Sequence, residues 1–238
     1  MWRSMLKVAA ATAVFGAVHS ALASSAAKRA ATNCFGERNR NGLYRVFFIG
    51  QSLGTFAVLA AYIRRQPSRE LYHIRGPLAM AMHAGQLAAL GAATAAAHQV
   101  GIPRIVGVES FRAWLGDGPV PPEPEAQGPA LDSEGLSHAA GPFVWSRHPL
   151  NFAPLPIFFL WPRMTTSLLA FSLASTVYLA LGSLHEEARL RETWGERYTA
   201  YERSGVPFYL PLPRPGALQP LHLEAPETSP QRLSPQVG

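Results

Sequence analysis

Two short clusters hold most of the side chains able to do chemistry. The first runs Gly141-Pro142-Phe143-Val144-Trp145-Ser146-Arg147-His148-Pro149-Leu150-Asn151, at the entrance to an apolar segment. A guanidinium there can hold an anion through paired hydrogen bonds, and an imidazole can give or take a proton near neutral pH. Pro149 suits a first helical turn, which leaves Arg147 and His148 at the membrane surface. The plain alternative is a helix start with a snorkelling arginine. The second cluster, His185 to Tyr201, opens with Glu186-Glu187 directly after a long apolar run. Glu187, Leu190, Trp194, Tyr198 and Tyr201 recur at three- and four-residue spacing and so can share one helix face. A carboxylate, a leucine and aromatics on one face can hold a ribose and a purine. Equally, the segment can be a solvated amphipathic helix with internal ion pairs.

The elements that must position these clusters read as membrane spans. Charged residues make up only 15% of the 238 and gather between apolar runs instead of lining amphipathic faces. A bilayer core takes about 20 helical residues, and runs near 5–23, 43–63, 77–97 and 164–184 reach that length. The run at 150–161 is short; it is either extended by preceding residues or one arm of a tight hairpin around Pro162-Arg163. The expectation is an all-α, multi-span integral membrane bundle of about five spans, followed by a C-terminal cytosolic helix. The third run, rich in Ala, Gly and Met, should pack inside the bundle.

Arg3 and Lys7 before the first run, and Ala21-Leu22-Ala23 after its core, give that run the look of a cleavable signal peptide. Because the rest of the chain is itself apolar enough to be embedded, the first run is expected to stay as a span. Residues 99–115 suggest a short interfacial helix ending at Trp114-Leu115. The chain then divides into N-terminal spans (1–115), a Pro-rich acidic loop (116–137), a hairpin with its following helix (138–213) and a disordered tail (214–238).

The net charge of +6 comes from arginines flanking apolar runs, without a basic helix face, so nucleic acid is not expected as a partner. Cys34 is the single cysteine, which excludes an internal disulfide and a cysteine metal cluster; no metal site is expected. Lys28, Arg29, Arg38, Arg40 and Arg45 put the first loop in the cytoplasm, and five spans then put the C-terminus there too. Arg64, Arg65, Arg69 and Arg75 run against that rule.

In this order the clusters form a longer pattern. It reads Gly-x-x-x-x-x-Arg-His-Pro, a two-segment hairpin, then Glu-Glu-x-x-Leu-x-x-x-aromatic-Gly-x-x-Tyr-x-x-Tyr, then Val206-Pro207 and Pro211. The pattern over about 138–213 resembles the C-terminal region of the superfamily of isoprenylcysteine carboxyl methyltransferases, phospholipid methyltransferases and bacterial methanethiol S-methyltransferases. The resemblance implies S-adenosylmethionine as cofactor, enclosed on the cytosolic side by Gly141, Arg147, His148, Pro149, Glu186, Glu187, Leu190, Tyr198 and Tyr201. It also implies a small or lipophilic methyl acceptor, such as a thiol, an isoprenylcysteine carboxylate or a lipid amine, in a bacterial inner membrane. Arg147, His148 and Glu187 are the candidate catalytic residues. Asn151 and Ala153-Pro154 depart from the usual Tyr and Gly, and Trp194 stands where Phe is usual.

The N-terminal half resembles the NnrU family instead. The residues are His19-Ser20-Ala21-Leu22-Ala23-Ser24, Gly36-Glu37-Arg38, Tyr44-Arg45-Val46-Phe47-Phe48 and Ser52. That family includes a haem-containing carotene isomerase, so the alternative cofactor is haem b, with His19 or His83 as axial ligand. His98 is a third histidine in this background, and each can instead hydrogen-bond a neighbouring helix.

Overall fold

The structure is a computed structural model that describes residues 2–121, 128 and 141–209. The expected tail and most of the acidic loop lie outside the described residues. Capping residues and prolines divide the rest. Helix α1 (Trp2–Ala23) gives way at Ser24, whose hydroxyl accepts from the Ala27 amide to start α2 (Ser25–Phe35). Gly36, at φ 80°, ends α2 and starts α3 (Glu37–Arg65). Strand β1 (Glu70–His73) leads to α4 (Pro77–Val100), with Pro77 in its first turn. Two short helices follow, α5 (Ile102–Ile105) and α6 (Val108–Leu115), where an interfacial helix was expected. Past the acidic loop come α7 (Pro142–Trp145), α8 (Pro149–Phe152), α9 (Pro154–Phe159), β2 (Arg163–Thr165), α10 (Thr166–Trp194) and α11 (Glu196–Arg203).

The all-α membrane bundle is present: α1, α3 and α10 are long and apolar enough to cross a bilayer. Helix α4 has 24 residues and no Asp, Glu, Lys or Arg, but His83 and Gln86 lower its apolarity. The expected crossing at 150–161 needs correction, because it is not one helix of spanning length. Pro154 has no amide hydrogen to continue the ladder, so the chain breaks into α8 and α9. The hairpin reading of this region holds. Asn151 donates to Ser183 Oγ at 2.8 Å, and Ser172 Oγ donates to the Phe158 carbonyl at 3.1 Å, so the segment runs antiparallel to α10. At the far end β2 pairs antiparallel with β1, His73 opposite Arg163 and Tyr72 opposite Met164. This two-stranded sheet, which periodicity did not suggest, ties the α3–α4 connection to the turn before α10.

Helix α1 packs on α10 and α3 as a full member of the bundle. At Gly16 the two helices approach closely: a Cβ there would lie 2.7 Å from the Tyr178 ring. Tyr44 donates to the Leu22 carbonyl at 2.6 Å and joins α3 to the end of α1. The third run does not sit inside the bundle as expected. Its Gly85, Ala89 and Ala96 face the α7–α9 side, while Leu78, Met80, Leu87 and Leu90 point outward. Small residues let α4 approach on one side only, and its large side chains are left for lipid.

Candidate functional site

The site lies at the end of the bundle where α10 leaves its apolar stretch. His148 precedes α8, donates its amide to Ser146 Oγ at 3.2 Å, and is buried. Its Nε2 lies 3.2 Å from Glu187 Oε1 and its Nδ1 lies 3.5 Å from Glu186 Oε2. The imidazole therefore has a carboxylate oxygen beside each ring nitrogen. Arg147 Nε donates to the same Glu187 oxygen at 2.8 Å, and its Nη1 donates to the Val206 carbonyl at 3.2 Å. Arg191, one turn further along α10, reaches Glu187 Oε2 at 3.1 Å.

Glu187 is buried, and the Tyr198 hydroxyl also points to its Oε1 at 3.4 Å. A buried carboxylate requires such partners, because an unpaired charge away from water is strongly destabilising. Burial pushes the Tyr198 and Tyr201 phenols well above their ordinary range, so both remain donors at any working pH. Arg191 also holds Glu202 through Nε at 2.9 Å, and that hydrogen bond draws the Glu202 carboxyl below the usual carboxylate value.

Of the expected site residues, Arg147, His148, Glu186 and Glu187 converge. Pro149 opens α8, and Gly141, at φ 51°, opens α7 where a Cβ would collide with Gln99. Leu190, Tyr198 and Tyr201 meet a different fate from the one their spacing suggested. They pack with Phe143, Ala96 and Val206 in the most buried cluster among the described residues. The face does not continue as one helix either, because Gly195, at φ 56°, breaks it between α10 and α11. Packing against α4 and α7 has used the aromatic face as core, with Tyr201 donating to the Phe143 carbonyl at 2.6 Å.

Several participants were not among the expected site residues. Asn151, the departure from the family pattern, donates to Glu186 Oε2 at 3.3 Å and so links both clusters. Phe208 and Tyr209 lie against the His148 ring, at centroid distances of 4.9 and 6.3 Å. Tyr209 also exchanges a hydrogen bond with Ser183 at 2.9 Å, and burial raises its phenol. Arg191 was detectable as the i+4 partner of Glu187; the aromatic pair was not, since it returns through tertiary packing.

The alternative haem ligands are not brought together. His19 shares a hydrogen bond with Ser52 at 3.0 Å and stacks near Phe48. His83 is exposed on α4, beside Gln86, and α4 does not pack on α1. His98 is likewise exposed. Among the described residues no group of histidine, cysteine and carboxylate side chains is arranged to hold a metal ion. A cavity of about 480 Å³ does join the two halves: His19 and Arg45 line one side, Asn151 and Glu186 another.

Comparison with known proteins gives one partial kinship. A stretch of 58 residues is 40% identical to a methanethiol S-methyltransferase of Pseudomonas deceptionensis. It covers 24% of this chain and 22% of that protein, so the chain matches about a fifth of its relative's length. Over that stretch the chain is related to a methyltransferase. No family model matches, and no solved structure matches. The NnrU-like residues therefore stand on their own likeness.

Proposed function

We propose that the protein is a membrane-embedded methyltransferase that uses S-adenosylmethionine and acts on a small thiol or a lipophilic acceptor. The observation that carries this reading is the junction of Arg147-His148 with Glu186-Glu187, some forty positions apart in sequence and in hydrogen-bond contact in the fold. The partial match to a methyltransferase supports it.

The side chains suit the cofactor by their donor and acceptor chemistry. Glu186 and Glu187 can accept from ribose hydroxyls or an ammonium group, and Arg147 can donate to a carboxylate. Leu190, Tyr198 and Tyr201 hold these groups from behind as packed core. When bound, the cofactor supplies a methyl group on a sulfonium, already a strong electrophile, so the protein's main task is alignment. A thiolate or carboxylate acceptor needs no base. For an amine or alcohol acceptor a general base is needed, and His148 and Glu187 are the candidates.

The site end carries Lys28, Arg29, Arg38, Arg40 and Arg45, and we assign it to the cytosol on the positive-inside tendency. A bacterial inner membrane suits that assignment. The test is a binding titration of purified protein with S-adenosylmethionine, followed by methyl transfer to a thiol, an isoprenylcysteine and a phospholipid amine. Saturable binding that falls at least tenfold in Glu187→Gln is expected; no binding in the presence of any acceptor rejects the reading. The haem alternative predicts a Soret band lost in His19→Ala, and none is expected.

A further inference from the structure

The hairpin end of the bundle, where β1 pairs with β2, carries a charge that nothing among the described residues balances. Arg64 and Arg65 close α3, Arg69 and Arg75 lie on either side of β1, and Arg163 opens β2. Helix α1 adds two more cations. It runs antiparallel to α3, with Leu22 bonded to Tyr44, His19 to Ser52 and Phe15 against Phe56, so Arg3 and Lys7 lie beside the last turns of α3. All seven side chains are exposed. The one carboxylate at this end among the described residues is Glu70, and Arg163 already holds it at 2.6 Å. The chain has 21 basic and 15 acidic side chains; with seven and one of them here, the other 14 and 14 cancel wherever they lie. The excess at this end thus equals the net charge of the whole protein, +6.

Two further observations say what meets this charge. Trp2, Tyr62, Tyr72 and Trp161 are exposed at the same end. Tryptophan and tyrosine gather where hydrocarbon meets headgroups, which favours a bilayer surface over a soluble acidic protein. The cations also stand on a fixed frame. The Thr166 amide donates to the Arg69 carbonyl at 2.9 Å and the Ile74 amide to the Pro162 carbonyl at 2.8 Å, which extends the strand pairing at both ends. Little ordering of the backbone therefore accompanies binding.

We propose that the hairpin end is a docking surface for the anionic phospholipid headgroups of the leaflet it touches. The guanidinium groups of Arg64, Arg65, Arg69 and Arg75 donate to headgroup phosphates, and the four aromatics seat at the hydrocarbon boundary. Lipid then supplies the countercharge for the arginines that run against the positive-inside tendency. These lipids are neighbours held by the surface and not methyl acceptors, because the surface lies at the opposite end of the bundle from Arg147 and Glu187. The inference does not depend on the methyltransferase reading.

The full-length protein in a neutral detergent is titrated with dioctanoyl phosphatidylglycerol and dioctanoyl phosphatidylcholine. The tails are the same and both heads hold a phosphate, but the choline cation cancels the charge of the second. Phosphatidylglycerol should bind about tenfold more tightly or better, since a single juxtamembrane cation against an anionic surface is worth about fivefold. Raising the salt from about 0.05 to about 0.5 M should shrink the preference. Arg64→Gln, Arg65→Gln and Arg75→Gln together should abolish it, while the same three arginines replaced by Lys should keep most of it. Arg29→Gln, Arg112→Gln and Arg203→Gln together remove the same charge from exposed positions at the site end and should leave it unchanged. Glu187→Gln should leave it unchanged as well, so the two readings fail separately. Equal affinity for the two lipids, an equal effect of the two triple variants, or a preference that survives the loss of the hairpin-end arginines overturns the proposal. So does tighter binding of polyglutamate than of phosphatidylglycerol, which would mark a docking face for an acidic protein instead.

Discussion

The two ends of the bundle carry similar residues in opposite circumstances. At the hairpin end, Arg163 meets Glu70 at 2.6 Å, with side chains 68% and 42% exposed. At the site end, Arg147 meets Glu187 at 2.8 Å, with side chains 17% and 5% exposed. The distances are close, yet the energetics differ. An exposed pair exchanges water for a partner at little gain, whereas a buried carboxylate cannot lose its partners without a large penalty. Geometry alone therefore does not separate the two ends; burial does, and it identifies the end where charge has been placed against its own stability.

Mutation can break that comparison at several points. The largest effect is expected from Glu187→Ala, which removes the carboxylate that Arg147, His148 and Arg191 share. A loss of about 3–5 kcal/mol, as for a broken buried pair, should appear in thermal unfolding in detergent, with loss of cofactor binding. A change near zero would mean that the site end is as solvated as the hairpin end.

Gly16→Val comes next. It forces a side chain into the Tyr178 ring, and overpacking of this kind costs about 1–3 kcal/mol. An undisturbed melting profile would show that α1 is not held against α10. Tyr201→Phe leaves the Phe143 carbonyl without its donor inside the core, for a loss of about 1–3 kcal/mol. That variant probes the packing that positions α7, and its loss should appear without any change in the pH dependence of unfolding.

A smaller effect is a pH dependence. Glu202 has its carboxyl lowered by Arg191, so its stabilising contribution is fully present above the unfolded carboxylate value near about 4.3 and is lost as pH falls through the lower folded value. Unfolding followed across acidic pH should be less pH-sensitive in Glu202→Gln. The smallest effect belongs to Arg163→Ala at the hairpin end, a loss of no more than about 1 kcal/mol; a larger one would erase the contrast between the ends.

Much of this architecture was legible in the chain. The apolar runs at 5–23, 43–63 and 164–184 became α1, α3 and α10, and the fold brings Arg147, His148, Glu186 and Glu187 within hydrogen-bond reach. Periodicity near the site left open what covers the face. Leu190, Tyr198 and Tyr201 have the spacing of a binding face, and spacing does not reveal what covers a face. The α8–α9 break and the outward turn of α4 were hidden for a related reason. Both depend on how closely neighbours approach, through Pro154 in one case and through Gly85 and Ala89 in the other.

The sequence by itself determined that the chain is a helical membrane protein with polar chemistry gathered where α10 leaves its apolar stretch, because apolar length and hydrogen-bond capacity are local properties. Only the tertiary structure decided how the two adjacent carboxylates divide their work. Successive residues on a helix point about 100° apart. Glu187 is thereby turned into the buried pair with Arg147, and Glu186 toward Asn151 and the cavity that His19 and Arg45 line from the other half of the chain. Which neighbour fills each direction is set by the packing of α1, α3 and α8 around α10, and no local pattern encodes it.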